Sequence, residues 1–348
     1  MRRKSLSEVT IAIVGATGNV GLAFLKILEE RCVPFENITA LASAQSAGKI
    51  LAYQGKSLPV HNLETFDFSH TDIGLFSPGA AVSAVYAPKA AAQGCLVMDN
   101  TSYFRMDPAI PLIVPEINAA ALLRDTEPRR RRDAGRSWGG IIANPNCSTI
   151  QMVMALHPID LISPLQRVSV ATYQSVSGGG KGAVDELYAQ TAGDPTVAHL
   201  PKTMAYNVIP QIDVFLEDGQ TKEEWKMVAE TQKILGKPLK ISATCVRVPV
   251  VCGHSEAIHF ELADDVPLET LRQALRAFPG VRVADSFATY DTPLDIAGSD
   301  DVFVSRLRKD AAIENGYQMW VVADNVRKGA ALNAVQIAET FLALGLKK

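Results

Sequence analysis

The sequence has few cysteines, little net charge and no long apolar segment. Its 348 residues include five cysteines, an odd number without regular spacing, which argues against a disulfide framework and indicates a reducing compartment. The formal net charge is −3, so neither nucleic acid nor an anionic membrane is expected as a partner. No segment has ~18 uninterrupted apolar residues, and the start of the chain leaves no room for a signal peptide. We therefore expect a cytoplasmic protein.

Metal-binding patterns are also scarce. Among the cysteines and histidines of the second half, Cys245, Cys252, His254 and His259 lack the paired C-x₂-C spacing of zinc sites. No metal site is expected. Hydrophobic content of 47% and charged content of 20% are ordinary for a soluble globular protein, and the length predicts two domains.

A glycine-rich turn follows the first apolar run of the chain. Residues 9–14 read VTIAIV, and residues 15–21 read GATGNVG before a helix-like segment that begins at Leu22. Glycines let the backbone approach a pyrophosphate closely, and the helix N-terminus supplies N–H groups and a favourable dipole. The spacing differs from the commoner G-x-G-x-x-G, and a tight turn without a ligand is the alternative. We expect a dinucleotide site here.

The pattern after this turn predicts a Rossmann-type fold. Strand-like runs lie at residues 38–41, 73–76 and 96–99, with a helix-like segment at 80–93 between the last two. Alternating strands and helices predict a doubly wound parallel sheet. The second strand runs into residues 42–49 (ASAQSAGK), which contain hydroxyls and a lysine but no carboxylate to hold a ribose 2′-hydroxyl. This favours NADP over NAD.

The motif NPNCST at residues 144–149 is the most informative part of the chain. Because Pro145 disfavours helical backbone at Asn144, we predict that a helix begins within a residue or two of Cys147. A thiol there faces unpaired N–H groups and the positive end of the helix dipole, which lower its pKa below the ordinary value of ~8.5. Such a thiol is a candidate nucleophile, and a buried structural cysteine is the alternative.

A sheltered histidine is predicted in the segment RVPVVCGHSE, residues 247–256. In the strand that follows, Ile258 and Phe260 alternate with polar residues, which places His254 on the apolar side and His259 towards solvent. The ordinary histidine pKa near 6.5 suits an acid/base that works near neutral pH. His254 is thus the best acid/base candidate among the six histidines, and a satisfied core residue is the alternative.

Two further segments carry polar residues in unusual contexts. Residues 173–182 (YQSVSGGGKG) join a strand to a helix, and four glycines within five residues indicate close approach of a ligand. They do not form a Walker loop, because Gly182 replaces the hydroxyl residue that would bind magnesium. Residues 221–226 (TKEEWK) open a helix that runs to Leu235, and a solvated first turn is the simplest reading of that segment alone.

Together, NPNCST, YQSVSG, EEWKM and RVPV…GHSE, in this order, make the chain resemble the aspartate-semialdehyde dehydrogenase family nearly end to end. The resemblance implies reversible NADP-dependent reductive dephosphorylation of L-aspartyl 4-phosphate to L-aspartate 4-semialdehyde through a cysteine thioester. In that family the product feeds lysine, threonine and methionine biosynthesis. The partners it implies are a small-molecule substrate, inorganic phosphate and a second copy of the chain in a homodimer.

The resemblance also implies the fold of both halves. An α/β, Rossmann-type dinucleotide-binding domain would span residues 1–146, completed by a C-terminal helix at about 325–348. An α+β catalytic and dimerisation domain would span residues 147–324.

Roles are implied for each residue that matches a family motif. Cys147 would be the nucleophile and His254 the acid/base, while Arg247 would hold the substrate carboxylate as a bidentate fork. The substrate and phosphate site would comprise Arg105, Asn146, Gln174, Glu223, Lys226 and Arg247. The cofactor contacts would be Gly15, Thr17, Gly18, Asn19, Val20, Ser43, Ala44, Ser77, Ser177, Gly178 and Asn325.

Two departures from the family pattern bear on these expectations. Gln45 stands where an arginine that can pair with the 2′-phosphate is common, so NAD remains an alternative cofactor. Residues 124–138, which include four consecutive arginines, look inserted, and a charge run of this kind predicts a solvated loop.

Two other functions are weighed against this one. Another acyl-phosphate reductase, of the N-acetyl-γ-glutamyl-phosphate reductase or glyceraldehyde-phosphate dehydrogenase type, shares the cysteine–histidine chemistry, but its cysteine has different neighbours and the RVPV segment argues against it. A non-catalytic paralogue would be expected to lose Cys147 or His254, and both are present.

Overall fold

The structure is a computed structural model, and it describes residues 4–124 and 140–344. The solvated loop predicted at residues 124–138 lies outside the described residues, apart from the backbone of Arg124. Within the described part of the chain, no helix is long and apolar enough to cross a membrane.

Strands are numbered along the chain. They are β1 (Ile11–Val14), β2 (Ile38–Ala42), β3 (Ile50–Tyr53), β4 (Lys56–Asn62), β5 (Ile73–Phe76), β6 (Leu96–Asp99), β7 (Gly140–Ala143), β8 (Leu165–Gln174), β9 (Lys240–Arg247), β10 (His254–Leu262), β11 (Val281–Val283), β12 (Val302–Lys309) and β13 (Gly316–Ala323).

Helices are numbered in the same way. They are α1 (Asn19–Glu30), α2 (Ala80–Ala92), α3 (Pro115–Asn118), α4 (Ala121–Arg124), α5 (Cys147–Asp160), α6 (Lys181–Thr191), α7 (Lys222–Leu235), α8 (Leu268–Ala277), α9 (Pro293–Ile296) and α10 (Leu332–Ala343).

The chain divides into two compact domains. The first comprises residues 1–145 and 330–348, and the second comprises residues 146–329. The division predicted from the sequence placed residue 146 and residues 325–329 with the first domain, whereas the structure groups them with the second.

The first domain is built on a seven-stranded sheet in the order β3-β4-β2-β1-β5-β6-β7. All neighbouring strands are parallel except β3 and β4, which form an antiparallel pair at one edge. Every residue of β1, β5 and β6 is buried, as expected for parallel strands covered on both faces. Phe24 and Ile27 of α1 and Ile337 of α10 belong to the same apolar core as β1. The predicted Rossmann-type parallel sheet is therefore confirmed, with an antiparallel edge that the sequence analysis did not predict.

The second domain contains a six-stranded mixed sheet in the order β11-β12-β13-β10-β8-β9. β10 lies between β13 and β8 and is antiparallel to both, whereas β8 and β9 are parallel. Helix α5 packs against β8, β10, β12 and β13 and is buried along most of its length. The α+β organisation expected for this domain is thus confirmed. Helix α5, which begins at Cys147, therefore packs against β10, which begins at His254.

Candidate active site

The glycine turn of the first domain is sterically specific. Gly15 has φ +85°, and a Cβ at this position would lie 2.6 Å from the Ser77 carbonyl oxygen. A Cβ on Gly21 would lie 2.3 Å from the Gly15 carbonyl oxygen, so only glycine lets the first turn of α1 pack against the loop. A Cβ on Gly18 would lie 3.5 Å from the same oxygen, an ordinary contact. Gly15 and Gly21 are therefore required by the shape of the turn. Gly18 is not, and its missing side chain leaves space for a ligand beside the backbone at the start of α1.

A cavity of about 320 Å³ lies against this turn. Its lining comprises Gly15, Thr17, Gly18, Ala42, Ser43, Leu63, Glu64, Ser77, Pro78, Val82 and Tyr86. Five residues predicted to contact a cofactor lie together here. Of the other predicted first-domain contacts, Asn19 and Val20 begin α1, and Ala44 follows Ser43. The turn and the cavity fit a dinucleotide whose pyrophosphate lies at the N-terminus of α1.

The structure also corrects one argument for NADP. The sequence analysis found no carboxylate after β2, yet Glu64 lines the same cavity. Glu64 follows β4, which is parallel to β2, so the two strands end at the same edge of the sheet. Because β4 was not predicted, Glu64 could not be placed there from the sequence. No acidic residue is close to Ser43 in the sequence, but Glu64 lines the same cavity as Ser43 in the folded protein.

Arg105, predicted to bind phosphate, is buried in the first domain. Its Nη2 donates a hydrogen bond to the Asn100 carbonyl oxygen at 2.7 Å. The other predicted substrate residues all belong to the second domain, as do Ser177, Gly178 and Asn325.

Cys147 is the first residue of α5, as the motif predicts, and Asn146 is the N-cap. The Asn146 side-chain oxygen accepts hydrogen bonds from the Ser148 and Thr149 amides at 3.0 and 3.3 Å. Its backbone N–H donates to a Glu230 carboxylate oxygen at 2.6 Å. Cys147 itself is partly exposed, and a Cβ on Gly329 would lie 3.0 Å from its Cβ. The thiol thus lies at a capped helix N-terminus, the position that favours a thiolate.

Glu223 connects three of the predicted substrate residues. One carboxylate oxygen accepts from Asn146 Nδ2 at 2.8 Å and from Gln174 Nε2 at 3.4 Å. The other accepts from Lys226 Nζ at 3.2 Å. Lys226 also bonds to Asp213 at 2.7 Å. Burial raises the pKa of Asp213, but the hydrogen bond and charge of Lys226, together with the Val214 N–H and the charge of Lys222, lower it below its ordinary value.

These contacts overturn the simplest reading of the TKEEWK segment as a solvated first turn. Glu223 and Lys226 are buried, and Thr221 caps α7. Asp213, the partner of Lys226, and Glu230, which accepts from the Asn146 N–H, were not predicted, because single carboxylates without a motif carry no signal in the sequence.

A second set of contacts centres on Ser175, which the sequence analysis did not assign. The Ser175 N–H donates to His254 Nδ1 at 3.0 Å, and its carbonyl oxygen accepts from Arg247 Nη1 at 2.7 Å. The backbone of a single residue therefore orients both the predicted acid/base and the predicted carboxylate fork. Cys147 lies near enough to Arg247 for their charges to interact. We call Cys147, Ser175, Arg247 and His254 the thiol–imidazole cluster.

His254 is fully buried, which confirms the alternation argument for its side of β10. Burial, followed by the positive charge of Arg247, lowers the pKa of His254 well below its ordinary value. The expectation of a pKa near 6.5 is therefore wrong for the folded protein. Because a backbone N–H donates to Nδ1, the neutral ring carries its proton on Nε2. Among the described residues Nε2 has no hydrogen-bond partner, and it faces Gly178, where a Cβ would lie 3.2 Å away.

Asn325, Ser177 and Gly178, predicted to contact the cofactor, lie beside this cluster. Asn325 Oδ1 accepts from the hydroxyls of Ser175 and Ser177 and from the Gly253 N–H, at 3.0, 3.2 and 2.9 Å. Asn325 therefore holds the residues before His254 and those around Ser175 together.

Nothing in the described residues suggests a metal centre: they contain no group of three or more histidines, cysteines or acidic residues placed to hold an ion. Burial raises the pKa of the Cys252 thiol to about 12 and the pKa of Cys245 still further. These two thiols remain protonated at neutral pH.

Family comparisons agree over both domains. The family model "Semialdehyde dehydrogenase, NAD binding domain" matches residues 10–124, and "Semialdehyde dehydrogenase, dimerisation domain" matches residues 156–328. Aspartate-semialdehyde dehydrogenase of Aquifex aeolicus is 48% identical over 97% of this chain and 98% of its own. The Legionella pneumophila protein of the same name is 49% identical over 95% of each chain.

Solved structures give the same result. Aspartate semialdehyde dehydrogenase II of Vibrio cholerae, described as complexed with ASA, has a TM-score of 0.90 and 46% identity, covering 97% of this chain and 99% of that one. The Candida albicans enzyme, described with NADP, has a TM-score of 0.76 at 24% identity, covering 96% and 98%. The second likeness concerns the fold alone.

Proposed function

The chain belongs to the aspartate-semialdehyde dehydrogenase family, and from this we propose that it converts L-aspartyl 4-phosphate to L-aspartate 4-semialdehyde. The reaction is a reversible reductive dephosphorylation with NADP, and it serves the biosynthesis of lysine, threonine and methionine. The observation that carries the proposal is the thiol at the capped N-terminus of α5, in the same buried region as a neutral imidazole and a buried guanidinium.

Cys147 is proposed as the nucleophile. Its thiolate attacks the acyl carbon of the substrate, the C–S bond forms as the C–O bond to phosphate breaks, and inorganic phosphate leaves. The resulting thioester divides one difficult step into two easier ones. The hydrogen bonds of Asn146 to the first turn of α5 support this role, because they hold the helix start at which the thiolate is stabilised.

The second step is reduction of the thioester, for which a bound nicotinamide cofactor supplies the hydride. His254 presents Nε2–H to the thioester oxygen and stabilises the negative charge that develops there with a hydrogen bond. The tetrahedral species then loses the thiolate of Cys147 and releases the aldehyde. A neutral imidazole suits this task, because it donates a hydrogen bond without bringing a second full positive charge beside Arg247.

Substrate recognition is proposed for the charged residues of the family motif. Arg247 binds the α-carboxylate, since a guanidinium forms paired hydrogen bonds with a carboxylate and keeps its charge when buried. Gln174 and Asn146 orient the acyl group, and Glu223 holds both amides. Lys226 and Arg105 bind the phosphate. Because two carboxylates already contact Lys226, we expect Arg105 to contribute more of the phosphate affinity.

NADP is proposed as the cofactor, with NAD as the alternative. The hydroxyls and Lys49 after β2 support a 2′-phosphate, and Lys49 Nζ lies 3.3 Å from Ser46 Oγ. Glu64 and Gln45 oppose it. The homodimer is likewise a proposal, supported by the match to the family's dimerisation domain, and light scattering after size-exclusion chromatography tests it.

The direct test is phosphate-dependent reduction of NADP by aspartate 4-semialdehyde, with NAD and N-acetylglutamate semialdehyde run in parallel. We expect strong activity with the first pair that disappears when phosphate is omitted. Activity only with the acetylated aldehyde would favour the other acyl-phosphate reductase. Absence of activity with either aldehyde in freshly reduced protein would favour the non-catalytic paralogue and contradict the proposal.

A further inference from the structure

A carboxyl group that the proposed mechanism does not use is buried inside the second domain. Glu256 is 0% exposed, and neither of its carboxyl oxygens has a hydrogen-bond partner among the described residues. Buried carboxyl groups are normally paired, so one left in this state calls for a specific role. Glu256 follows His254 by two residues in β10, so both side chains lie on the same face of the strand.

The side chain that interacts with the Glu256 carboxyl group is Gln151. Gln151 lies on α5, four residues after Cys147 and so on the same face of that helix. Its Nε2 donates a hydrogen bond to the His254 carbonyl oxygen at 3.2 Å, and its Oε1 has no partner among the described residues. The same amide lies close enough to Glu256 to act on the pKa of its carboxyl group. Gln151 therefore faces both residues of β10.

The charge state of Glu256 follows from its surroundings. Burial raises its pKa well above the ordinary value, opposed only by the Gln151 amide, and no salt bridge to it is found in the described part of the chain. A fully buried carboxyl group with no cation beside it favours its neutral form. A neutral carboxyl group is a hydrogen-bond donor, and the unpartnered Oε1 of Gln151 is an acceptor. The two groups are complementary only in this protonation state.

We infer that neutral Glu256 and Gln151 form a positioning pair that sets His254 against the first turn of α5. Glu256 donates to Gln151 Oε1, which orients the amide so that Nε2 holds the His254 carbonyl oxygen. Helix α5 carries Cys147 and Gln151, and strand β10 carries His254 and Glu256. The hydrogen-bonded pair fixes the position of the helix relative to the strand. This inference rests on the proposed function, because it gives the pair its purpose: to place the imidazole over the carbon that Cys147 attacks.

A purely structural role makes different predictions. If Glu256 only fills space, an apolar side chain of similar length, as in Glu256→Met, would serve equally well and leave kcat unchanged in the folded protein. If Glu256 worked as an anion, Glu256→Gln would be as damaging as Glu256→Met. A positioning pair requires a donor at residue 256, so Glu256→Gln should retain most of kcat while Glu256→Met loses it.

The kinetic experiment compares these two variants with Gln151→Leu and the double variant Gln151→Leu/Glu256→Met. We expect Glu256→Met and Gln151→Leu each to lower kcat by about tenfold, with KM for the semialdehyde changed less than about twofold, because binding groups stay in place. The double variant should lose no more than either single variant. Glu261→Met is the matched control, since Glu261 lies in the same strand, half-buried and contacting Arg167; it should keep wild-type kcat.

Unchanged kcat in folded Glu256→Met, additive losses in the double variant, or inactivity of Glu256→Gln would each overturn the pair. Should Glu256→Met fail to fold, Gln151→Leu and Glu256→Gln still decide between the outcomes.

An infrared measurement tests the pair without turnover. The difference spectrum of wild type minus Glu256→Gln at pH 7 should contain the carbonyl-stretch band of a protonated carboxylic acid, shifted in Gln151→Leu. Absence of the band would overturn the inference. If the wild type lacked dehydrogenase activity but showed the band, the proposed function would fail while the neutral Glu256 contact stood.

Discussion

The glycine turn of the first domain and the thiol–imidazole cluster of the second use different parts of the chain to build a site. In the turn, the backbone forms the site. Gly15 and Gly21 are needed because a Cβ at either position would lie too close to a neighbouring carbonyl oxygen. In the cluster, the proposed chemistry belongs to side chains, and those of His254 and Arg247 are held by hydrogen bonds to the backbone of Ser175.

This difference teaches where each region is vulnerable. A backbone site tolerates many side chains at its rim but fails when a Cβ enters the turn. A side-chain site depends on the protonation and orientation of a few buried groups, so small chemical changes at Glu256 or Gln151 reach the reacting atoms.

Cys147 is the proposed nucleophile, and no other side chain of the thiol–imidazole cluster can take over this role. Cys147→Ala should lower kcat by at least about 10⁴-fold, because the acyl transfer loses its nucleophile. NADP affinity, measured by fluorescence titration, should stay within about twofold of wild type. Turnover retained in Cys147→Ala would refute the assignment of the nucleophile.

The turn is tested by two substitutions at neighbouring glycines. Gly21→Ala should lower the free energy of unfolding by about 2 kcal/mol or more, because its Cβ would lie 2.3 Å from the Gly15 carbonyl oxygen. Gly18→Ala is the matched comparison: its Cβ meets only an ordinary contact at 3.5 Å, so the fold should keep its stability while cofactor affinity falls. Denaturant unfolding and cofactor titration separate the two effects. Equal stability losses would show that the turn is not sterically selective.

The neutral Glu256 predicts a pH-dependent stability. Because burial raises its pKa in the folded state, folding takes up a proton wherever the unfolded carboxyl group is ionised, above its ordinary value of 4.5. Its contribution to stability is therefore complete below that pH and is lost as pH rises towards the folded-state pKa. The Glu256→Gln side chain takes up no proton on folding. As pH rises above 4.5, the free energy of unfolding of this variant should therefore increase relative to that of the wild type by up to about 1.4 kcal/mol per pH unit. Urea unfolding of both proteins from about pH 5 to about pH 8 measures the difference. A difference that does not change with pH would mean that Glu256 is ionised when folded.

The smallest effect is expected at the rim of the first-domain cavity. Glu64→Gln should raise the preference for NADP over NAD by about threefold, because an exposed carboxylate repels a 2′-phosphate only weakly through solvent. The ratio of kcat/KM for the two cofactors gives the result, and the effect should shrink at high salt. A preference that did not move would place Glu64 away from the ribose.

Much of the local structure was predictable because local signals agreed. Pro145 and Asn146 predicted the start of α5, and the T-x-x-E capping box at Thr221 lies where α7 begins. The strand alternation around Ile258 identified the buried side of β10. The hairpin of β3 and β4 escaped prediction because most of its residues are exposed and a proline interrupts β4.

The site was predictable where residues carry their own chemistry and not where they act through others. Cys147, His254 and Arg247 stand in recognisable motifs. Ser175 acts through its backbone N–H and carbonyl groups, Asp213 and Glu230 are single carboxylates outside the motifs, and Glu64 follows a strand that was not predicted. No periodicity or spacing distinguishes such residues from surface residues of the same type.

The family, the parallel sheet of the first domain and the helix that begins at Cys147 all followed from the sequence alone. Only the tertiary structure decided which groups are neutral: His254 and Glu256 have shifted pKa values because the fold removes them from water, and burial depends on every element packed around them. It also decided that Glu64 shares a cavity with Ser43 and that Gln151 links α5 to β10. Motifs record what a residue can do chemically, whereas its charge and its neighbours follow from long-range packing.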